Sequence, residues 1–190
     1  MVAVAAAKVH TFSNTGRSHT VGLTRGGTVP ATGWNDDGQC DVANWSDVVG
    51  IAAGWHRTLG WRGDGTVVAA GRANEGACAV EGWREIVALA CGDWHSVGVC
   101  SDGTAVATGI NRRGQCAVSG WTGLTGHGRV IATGDNRDGQ CGVSGCREVV
   151  MVAAGSRHTL GLCAVETVLA AGCNDDGHRD VAGWGGMAVP

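Results

Sequence analysis

Residues 32–40 read TGWNDDGQC, and this stretch decides the fold because it recurs along the chain. Close copies are TGINRRGQC at 108–116 and TGDNRDGQC at 133–141, and looser copies lie at 70–78 and 171–179. The leading glycines of the copies are 38, 38, 25 and 38 residues apart, at Gly33, Gly71, Gly109, Gly134 and Gly172. A fixed period of this length indicates a tandem array in which each copy is one supersecondary unit.

A second marker repeats in the same register. It has the same four spacings and falls at Trp45, Trp83, Trp121, Cys146 and Trp184. The short unit lacks 13 residues, which correspond to an apolar run followed by Gly, two residues, His and Ser or Thr, as in residues 86–96. Near the N-terminus, residues 4–11 resemble this same element, yet residues 16–20 begin it again, so we expect a second irregularity there.

The full unit reads as strands joined by tight turns. In one unit, residues 48–53, 58–61 and 66–70 are strand-like, and Gly63-Asp64-Gly65 is a hairpin turn because Gly accepts a positive φ. A short fourth strand is expected at 78–80. The turn at 164–166 lacks the Asp-Gly signal and is expected to be less regular. Four short strands per unit indicate an all-β chain of four-stranded β-propeller blades, with a β-solenoid as the alternative.

We treat residues 1–190 as a single repeat domain of about five recognisable units. The division is an irregular N-terminal unit 1–15, three units at 16–45, 46–83 and 84–121, a truncated unit 122–146 and a unit 147–184. Because repeat units bury their faces against neighbours, the deletion predicts an incomplete or distorted propeller without well-packed strands across 121–134, and a tendency to self-associate.

The repeat resembles that of the regulator of chromosome condensation family, in its short bacterial form. The shared pattern is AAGxxHTxGL followed by DGTVxAxGxNxxGQC, and it covers nearly the whole chain. The resemblance implies a β-propeller, in that family usually of seven blades. Family members are exchange factors for a small GTPase, a light receptor, an inhibitor of β-lactamase, or scaffolds. The matching residues, such as Gly92, His95 and Gln115, belong to the repeat framework, so exchange activity does not follow from the resemblance.

Composition narrows the partner classes. The net charge is −3, the chain has a single Lys, Lys8, and its charges are not clustered, so nucleic acid is not an expected partner. No apolar run approaches the length of a membrane span, and no signal peptide is recognised, so we expect no membrane partner and a cytoplasmic location.

Cysteine and histidine follow the repeat, which favours structural roles. Cys40, Cys78, Cys116 and Cys141 hold one repeat position each and form no C-x₂-C pair, so we interpret them as small buried hydrophobes and expect no metal and no cofactor. The repeat histidines, His95 among them, are expected to make buried structural hydrogen bonds. Asn-Asp-Asp-Gly at 35–38 and 174–177 resembles a calcium ligand set, but the equivalent Arg112 and Arg113 favour a simple turn.

The turn between the first two strands carries the candidate binding residues. Trp55 and Trp94 depart from the tryptophan register and fall in this turn, which lies at one rim of a propeller, where loops carry binding. Tryptophan is also enriched in binding hot spots. The full candidate set is Trp55, Asp93, Trp94, Arg17, Ser18, Ser156 and Arg157.

The resulting hypothesis is a non-enzymatic scaffold that binds an unknown protein partner through its rim loops, with no catalytic residue assigned. One alternative is a hydrolase or lyase with a site in a central pocket, which should show unique polar residues that break the repeat. A third hypothesis is a degenerate propeller fragment without activity of its own.

Overall fold

The structure is a computed structural model that describes residues 3–6, 18–124, 128, 130–154, 158–177 and 179–188. These residues form strands and turns and contain no helix, and therefore none that could cross a membrane. The strands are β1 Ala3–Ala6, β2 His19–Leu23, β3 Ala31–Gly33, β4 Val48–Gly54, β5 Arg57–Arg62, β6 Val67–Gly71, β7 Ile86–Cys91, β8 His95–Cys100, β9 Ala105–Gly109, β10 Val149–Ala154, β11 His158–Cys163 and β12 Val168–Gly172.

Consecutive strands form four antiparallel sheets of three strands each, which we call the first to fourth blades. The chain divides into two compact units. Unit one comprises residues 1–112 and 118–124 and holds the first three blades, whereas unit two comprises residues 113–117 and 125–190 and holds the fourth. The prediction of an all-β propeller built of short-stranded blades is confirmed.

The expected fourth strand is a chain of turns. After β6, Gly76 N–H donates to the Ala73 carbonyl at 2.9 Å, and Ala79 N–H donates to the Gly76 carbonyl at 3.0 Å. Trp83 N–H then donates to the Val80 carbonyl at 2.9 Å. Because these backbone donors are used three residues back along the chain, they are not available for a ladder, and the blade stops at three strands.

The fourth-blade hairpin is regular despite its sequence, so the expectation of a less regular turn was wrong. Glu166 occupies the position of Gly65 and takes φ 62°, close to the 78° of that glycine. Its N–H donates to the Cys163 carbonyl at 2.9 Å, as Gly65 N–H does to Arg62. A left-handed non-glycine residue is strained, and the hydrogen bonds of the hairpin hold it there.

The N-terminal apolar segment completes the first blade. Strand β1 pairs with β2, and Ala6 lies opposite Thr20 as Ala53 lies opposite Thr58 in the second blade. The strand therefore takes the place that β4 has in the second blade. In the truncated unit, the described residues 121–124, 128 and 130–134 contain no strand. Gly128 forms only an isolated bridge to Val149, in agreement with the expectation for 121–134.

Backbone hydrogen bonds join each hairpin turn to the residue 21 positions later, where the next repeat begins. In unit one, Val48 N–H donates to the Gly27 carbonyl at 3.1 Å, and Ile86 N–H donates to the Gly65 carbonyl at 3.0 Å. In unit two, Val149 N–H donates to the Gly128 carbonyl at 2.9 Å. The hairpin thus fixes where the following unit starts.

The repeat tryptophans pack between blades, as predicted. Trp45 belongs to the cluster Val21, Leu23, Val29, Val42, Trp45 and Val48. Its ring carbon Cζ3 would lie only 3.0 Å from a Cβ on Gly60 in the second blade, and Trp83 stands in the same relation to Gly98 at 2.9 Å. Glycine in the second strand of a blade therefore makes room for the tryptophan of the preceding unit.

Polar side chains also cross between blades in unit one. Thr58 Oγ1 donates to the Gln39 carbonyl at 2.8 Å, which uses its only proton, so His19 Nε2–H donates to Thr58 Oγ1 at 2.8 Å. At the next interface, Arg57 Nε donates to Ser96 Oγ at 3.0 Å. Burial lowers the pKa of His19, which is consistent with a neutral ring.

His95 does not play the part expected of it. Its ring lies against Gly92, and no hydrogen bond of the ring is formed within the described residues. The unit after it is the truncated one, in which Gly134 stands where Thr58 and Ser96 would predict a hydroxyl, 39 positions after the His. The buried hydrogen bond predicted for His95 is therefore made by His19 instead.

Truncating Trp45 should open a cavity between the first two blades. We expect Trp45→Ala to lower the free energy of unfolding by about 3–5 kcal/mol, measured by urea denaturation at low protein concentration. The matched control is Val49→Ala, an apolar residue that is 55% exposed, which should cost no more than about 0.5 kcal/mol. Equal losses in the two variants would contradict an interblade role for Trp45.

His19 should make stability depend on pH. Because burial lowers its pKa in the folded chain, the unfolded chain binds the proton more readily, and stability is lost as the pH falls below about 6.5. His19→Gln should flatten this part of the pH profile, measured by urea denaturation between pH 7.5 and 5. At pH 7.5, His19→Ala should cost about 1–3 kcal/mol. An unchanged acid limb in His19→Gln would show that other groups cause the pH dependence.

Candidate functional site

Three successive repeat loops meet at one rim of unit one. The turn between the first and second strands carries Trp55 in the second blade and Trp94 in the third. The residue after the third strand is held beside that turn: Arg72 N–H donates to the His56 carbonyl at 2.9 Å, and Trp34 N–H donates to the Ser18 carbonyl at 2.9 Å. The same repeat positions are thereby brought to the same edge of each blade.

Four rings from these loops are in contact and form what we call the aromatic cluster. It consists of Trp34, Trp55, His56 and Trp94. The ring centroids of Trp55 and Trp94 are 4.8 Å apart in an edge-to-face arrangement with an interplanar angle of 72°. His56 lies 4.2 Å from Trp55, 5.3 Å from Trp34 and 5.8 Å from Trp94. Edge-to-face pairs at such distances are favourable beyond the area they bury.

Charged groups around the aromatic cluster are largely paired. His56 Nδ1 lies 2.5 Å from Asp37 Oδ2, and Arg72 Nη2 lies 2.6 Å from Glu75 Oε1. The Arg72 guanidinium carbon is also 5.6 Å from the Trp94 ring centroid, within cation–π range. The surface is therefore aromatic, with its charges already compensated.

Two donors in this region have no acceptor. The buried N–H groups Trp55 Nε1 and Arg72 Nε make no hydrogen bond. A buried donor without a partner costs about 1–3 kcal/mol, so each such group calls for an explanation. Both belong to side chains that approach the Trp94 ring. The aromatic cluster is therefore rich in unused donors.

The predicted site residues divide into three groups. Trp55 and Trp94 come together, and Asp93 shares the Trp94 turn, where its carbonyl accepts a hydrogen bond from Arg57 Nη1 at 2.9 Å. Ser18 is exposed and takes part through its backbone carbonyl alone among the described contacts. Arg17, Ser156 and Arg157 lie outside the described residues.

Sequence reasoning missed three members of the region: Trp34, His56 and Arg72. Trp34 and Arg72 directly follow the repeat glycines Gly33 and Gly71, a position whose residue varies between units. That variation within a fixed frame is the signal that could have identified them. His56 stands beside Trp55 but is not the repeat histidine position, which Arg57 occupies in this unit.

The cysteines are held as thiols. Cys40, Cys78 and Cys141 each donate through Sγ to the carbonyl six residues earlier, at 3.6, 3.2 and 3.5 Å. Burial raises the pKa of these thiols and of Cys116, and it raises that of Cys91 to about 11. No group of three metal-binding side chains is found within the described part of the chain. These thiols are therefore weak nucleophiles at neutral pH.

Comparison with known proteins agrees with the repeat analysis. The family model of the regulator of chromosome condensation (RCC1) repeat matches residues 14–39 and 86–115. A sequence search of curated proteins gives no significant match.

Solved structures with the same fold are more numerous. The CRINKLY WD40 ectodomain of the receptor kinase ACR4 from Arabidopsis thaliana matches with TM-score 0.65 and 15% identity, over 90% of this chain and 67% of that one. The ectodomain of the receptor kinase CR4 from Physcomitrella patens matches with TM-score 0.63 and 18% identity, over 83% and 50%. Human WBSCR16 matches with TM-score 0.50 and 18% identity, over 83% and 45%.

Identities this low bear on the fold alone, and the chain spans about half the length of the CR4 ectodomain. The repeat spacing, the three-stranded antiparallel blades and the family-model match agree with one another. The chain is a member of the regulator of chromosome condensation (RCC1) repeat family, and its sheets are blades of a β-propeller.

Proposed function

We propose that this chain is a non-enzymatic scaffold that binds a protein partner through the aromatic cluster at the rim of unit one. The observation that carries the proposal is the convergence of Trp34, Trp55 and Trp94 from three successive loops onto one partly exposed patch. Tryptophan and arginine dominate binding hot spots, and here Arg72 lies against Trp94.

The chemistry of the patch supports a partner loop that offers oxygen acceptors. Trp55 Nε1–H and Arg72 Nε–H are unused donors, and a backbone carbonyl of a partner would satisfy either after a small rotation of the Trp94 ring. Since the charges of Asp37 and Glu75 are already paired, an uncharged acceptor meets less repulsion than a carboxylate would. The aromatic faces would supply the apolar contact area.

Binding is favoured over a catalytic role. The repeat histidine of the first blade, His19, is engaged in a buried hydrogen bond to Thr58 and is not exposed to a substrate. The most deeply buried thiol described above, Cys91, has a pKa of about 11. A nucleophile needs an adjacent base and an accessible position, and neither residue has both.

We further propose a cytoplasmic location. All nine cysteines are free thiols, and their raised pKa values indicate packing roles that persist in a reducing compartment. The net charge of −3 supports a protein partner over nucleic acid.

Trp55→Ala and Trp94→Ala should each weaken partner binding by about 2 kcal/mol or more, because truncation removes a hot-spot ring. Binding is measured by quantitative affinity capture from a lysate of the source organism, followed by titration of the captured protein. The two variants should stay folded, with unfolding free energies within about 1.5 kcal/mol of the wild type.

Val49→Ala serves as the control, because its exposed side chain lies on β4 and not in the rim turn. It should retain the partner at wild-type level. Loss of the fold in Trp55→Ala and Trp94→Ala would place these rings in the core, and retention of the partner by folded variants would remove the site from the rim.

A further inference from the structure

The tryptophan of each full unit has a defined receptor in the interior of unit one. Trp45 and Trp83 are each only 9% exposed because the following blade covers them. The receptor is the second strand of that blade, where Gly60 and Gly98 leave space for the ring at about 3 Å from a would-be Cβ. One half of each blade interface is therefore a tryptophan, and the other half is a glycine-bearing strand.

The tryptophan half is uncovered in the fourth blade's repeat. Trp184 has the position of Trp45 and Trp83, but its side chain is 50% exposed. Further apolar residues of this repeat are also exposed, namely Leu169 at 37% and Met187 at 40%. Burying a Trp side chain is worth several times an average contact, so an open tryptophan half indicates a docking surface.

The glycine half is uncovered in the first blade. Its second strand reads HTVGL and places Gly22 where Gly60 and Gly98 lie in RTLGW and HSVGV. Thr20 in this strand is exposed, whereas the equivalent Thr58 and Ser96 are 0% exposed. Those two hydroxyls donate to the carbonyls of Gln39 and Ala77 in the preceding unit. Thr20 marks the same surface without that cover.

We propose that two copies of this chain associate head to tail, with Trp184 of one copy packing onto the Thr20–Gly22 surface of the first blade of the other. The interface continues the one already formed twice inside unit one, by Trp45 with Gly60 and by Trp83 with Gly98. The two contacting surfaces differ, so the contact is heterologous, and it extends or closes by repeating the same step. It lies apart from the aromatic cluster and goes beyond the proposed rim function.

Mass in solution tests this proposal. Sedimentation equilibrium over a concentration series should show reversible association of the wild type. Trp184→Glu and Thr20→Glu should each weaken association by at least about 30-fold, which corresponds to a hot-spot loss. Trp184→Phe should retain most of it. Circular dichroism checks that each variant is folded, as expected for changes at exposed positions.

Mixing gives the decisive result. Trp184→Glu keeps an intact Thr20 surface and Thr20→Glu keeps an intact Trp184, so each is monomeric alone and their mixture should form a 1:1 dimer that grows no further. Trp94→Ala should associate like the wild type, because it alters only the rim. A wild type that is monomeric throughout, a Trp184→Glu variant that still associates, or a mixture that stays monomeric would each overturn the proposal.

Discussion

A three-stranded blade has two faces and cannot bury both by itself, and the interlock of tryptophan with glycine is how this chain solves the problem. Trp45 lies over Gly60 and Trp83 over Gly98, so the large ring of one repeat fills the space that the next repeat leaves by lacking a side chain. Because ring and gap belong to neighbouring repeats, each blade is stabilised mainly by its neighbours. The period of the sequence and the packing of the fold are thus two views of one contact.

Around this contact the remaining interblade bonds are fixed in register. The hairpin carbonyl of Gly27 holds Val48, and the hydroxyl of Thr58 ties β5 to the Gln39 carbonyl. His19 adds a donor to the same hydroxyl, and Arg57 does so for Ser96 in the next interface. These bonds define the spacing of successive rim loops. The aromatic cluster depends on them, since Trp55 and Trp94 come from blades 39 residues apart in sequence.

The truncated unit shows which parts of the repeat are separable. It keeps the loop that ends in Gln140-Cys141, and Gln140 still offers its carbonyl to Thr159 Oγ1 at 2.9 Å. It also keeps the hairpin link, now from Gly128 to Val149. What it lacks is the first strand and the turn that follows, and with them the hydroxyl that would have met His95. Links to the next repeat survive the deletion, whereas the partner for the preceding repeat does not.

Much of this could be inferred from the sequence. The spacing of the glycines and tryptophans determined the repeat and the all-β class, because a periodic fold needs the same small or large residue at each period. The Gly-Asp-Gly signals located the hairpins, and departure from register identified Trp55 and Trp94. The turn at Glu166 and the turns that replace the fourth strand were not predicted, since hydrogen bonds of the folded chain overrode local preference there.

Only the tertiary structure could assemble the site and assign the polar partners. Trp34, His56 and Arg72 carry no motif, and they meet Trp94 because blade packing brings the ends of three separate loops together. The sequence likewise treats His19, His95 and His158 as equivalent, and the structure separates His19 from His95 by what the following repeat provides. The period in the sequence determined which residues are alike, and contacts between repeats decided which of them have partners, because a contact depends on two positions at once.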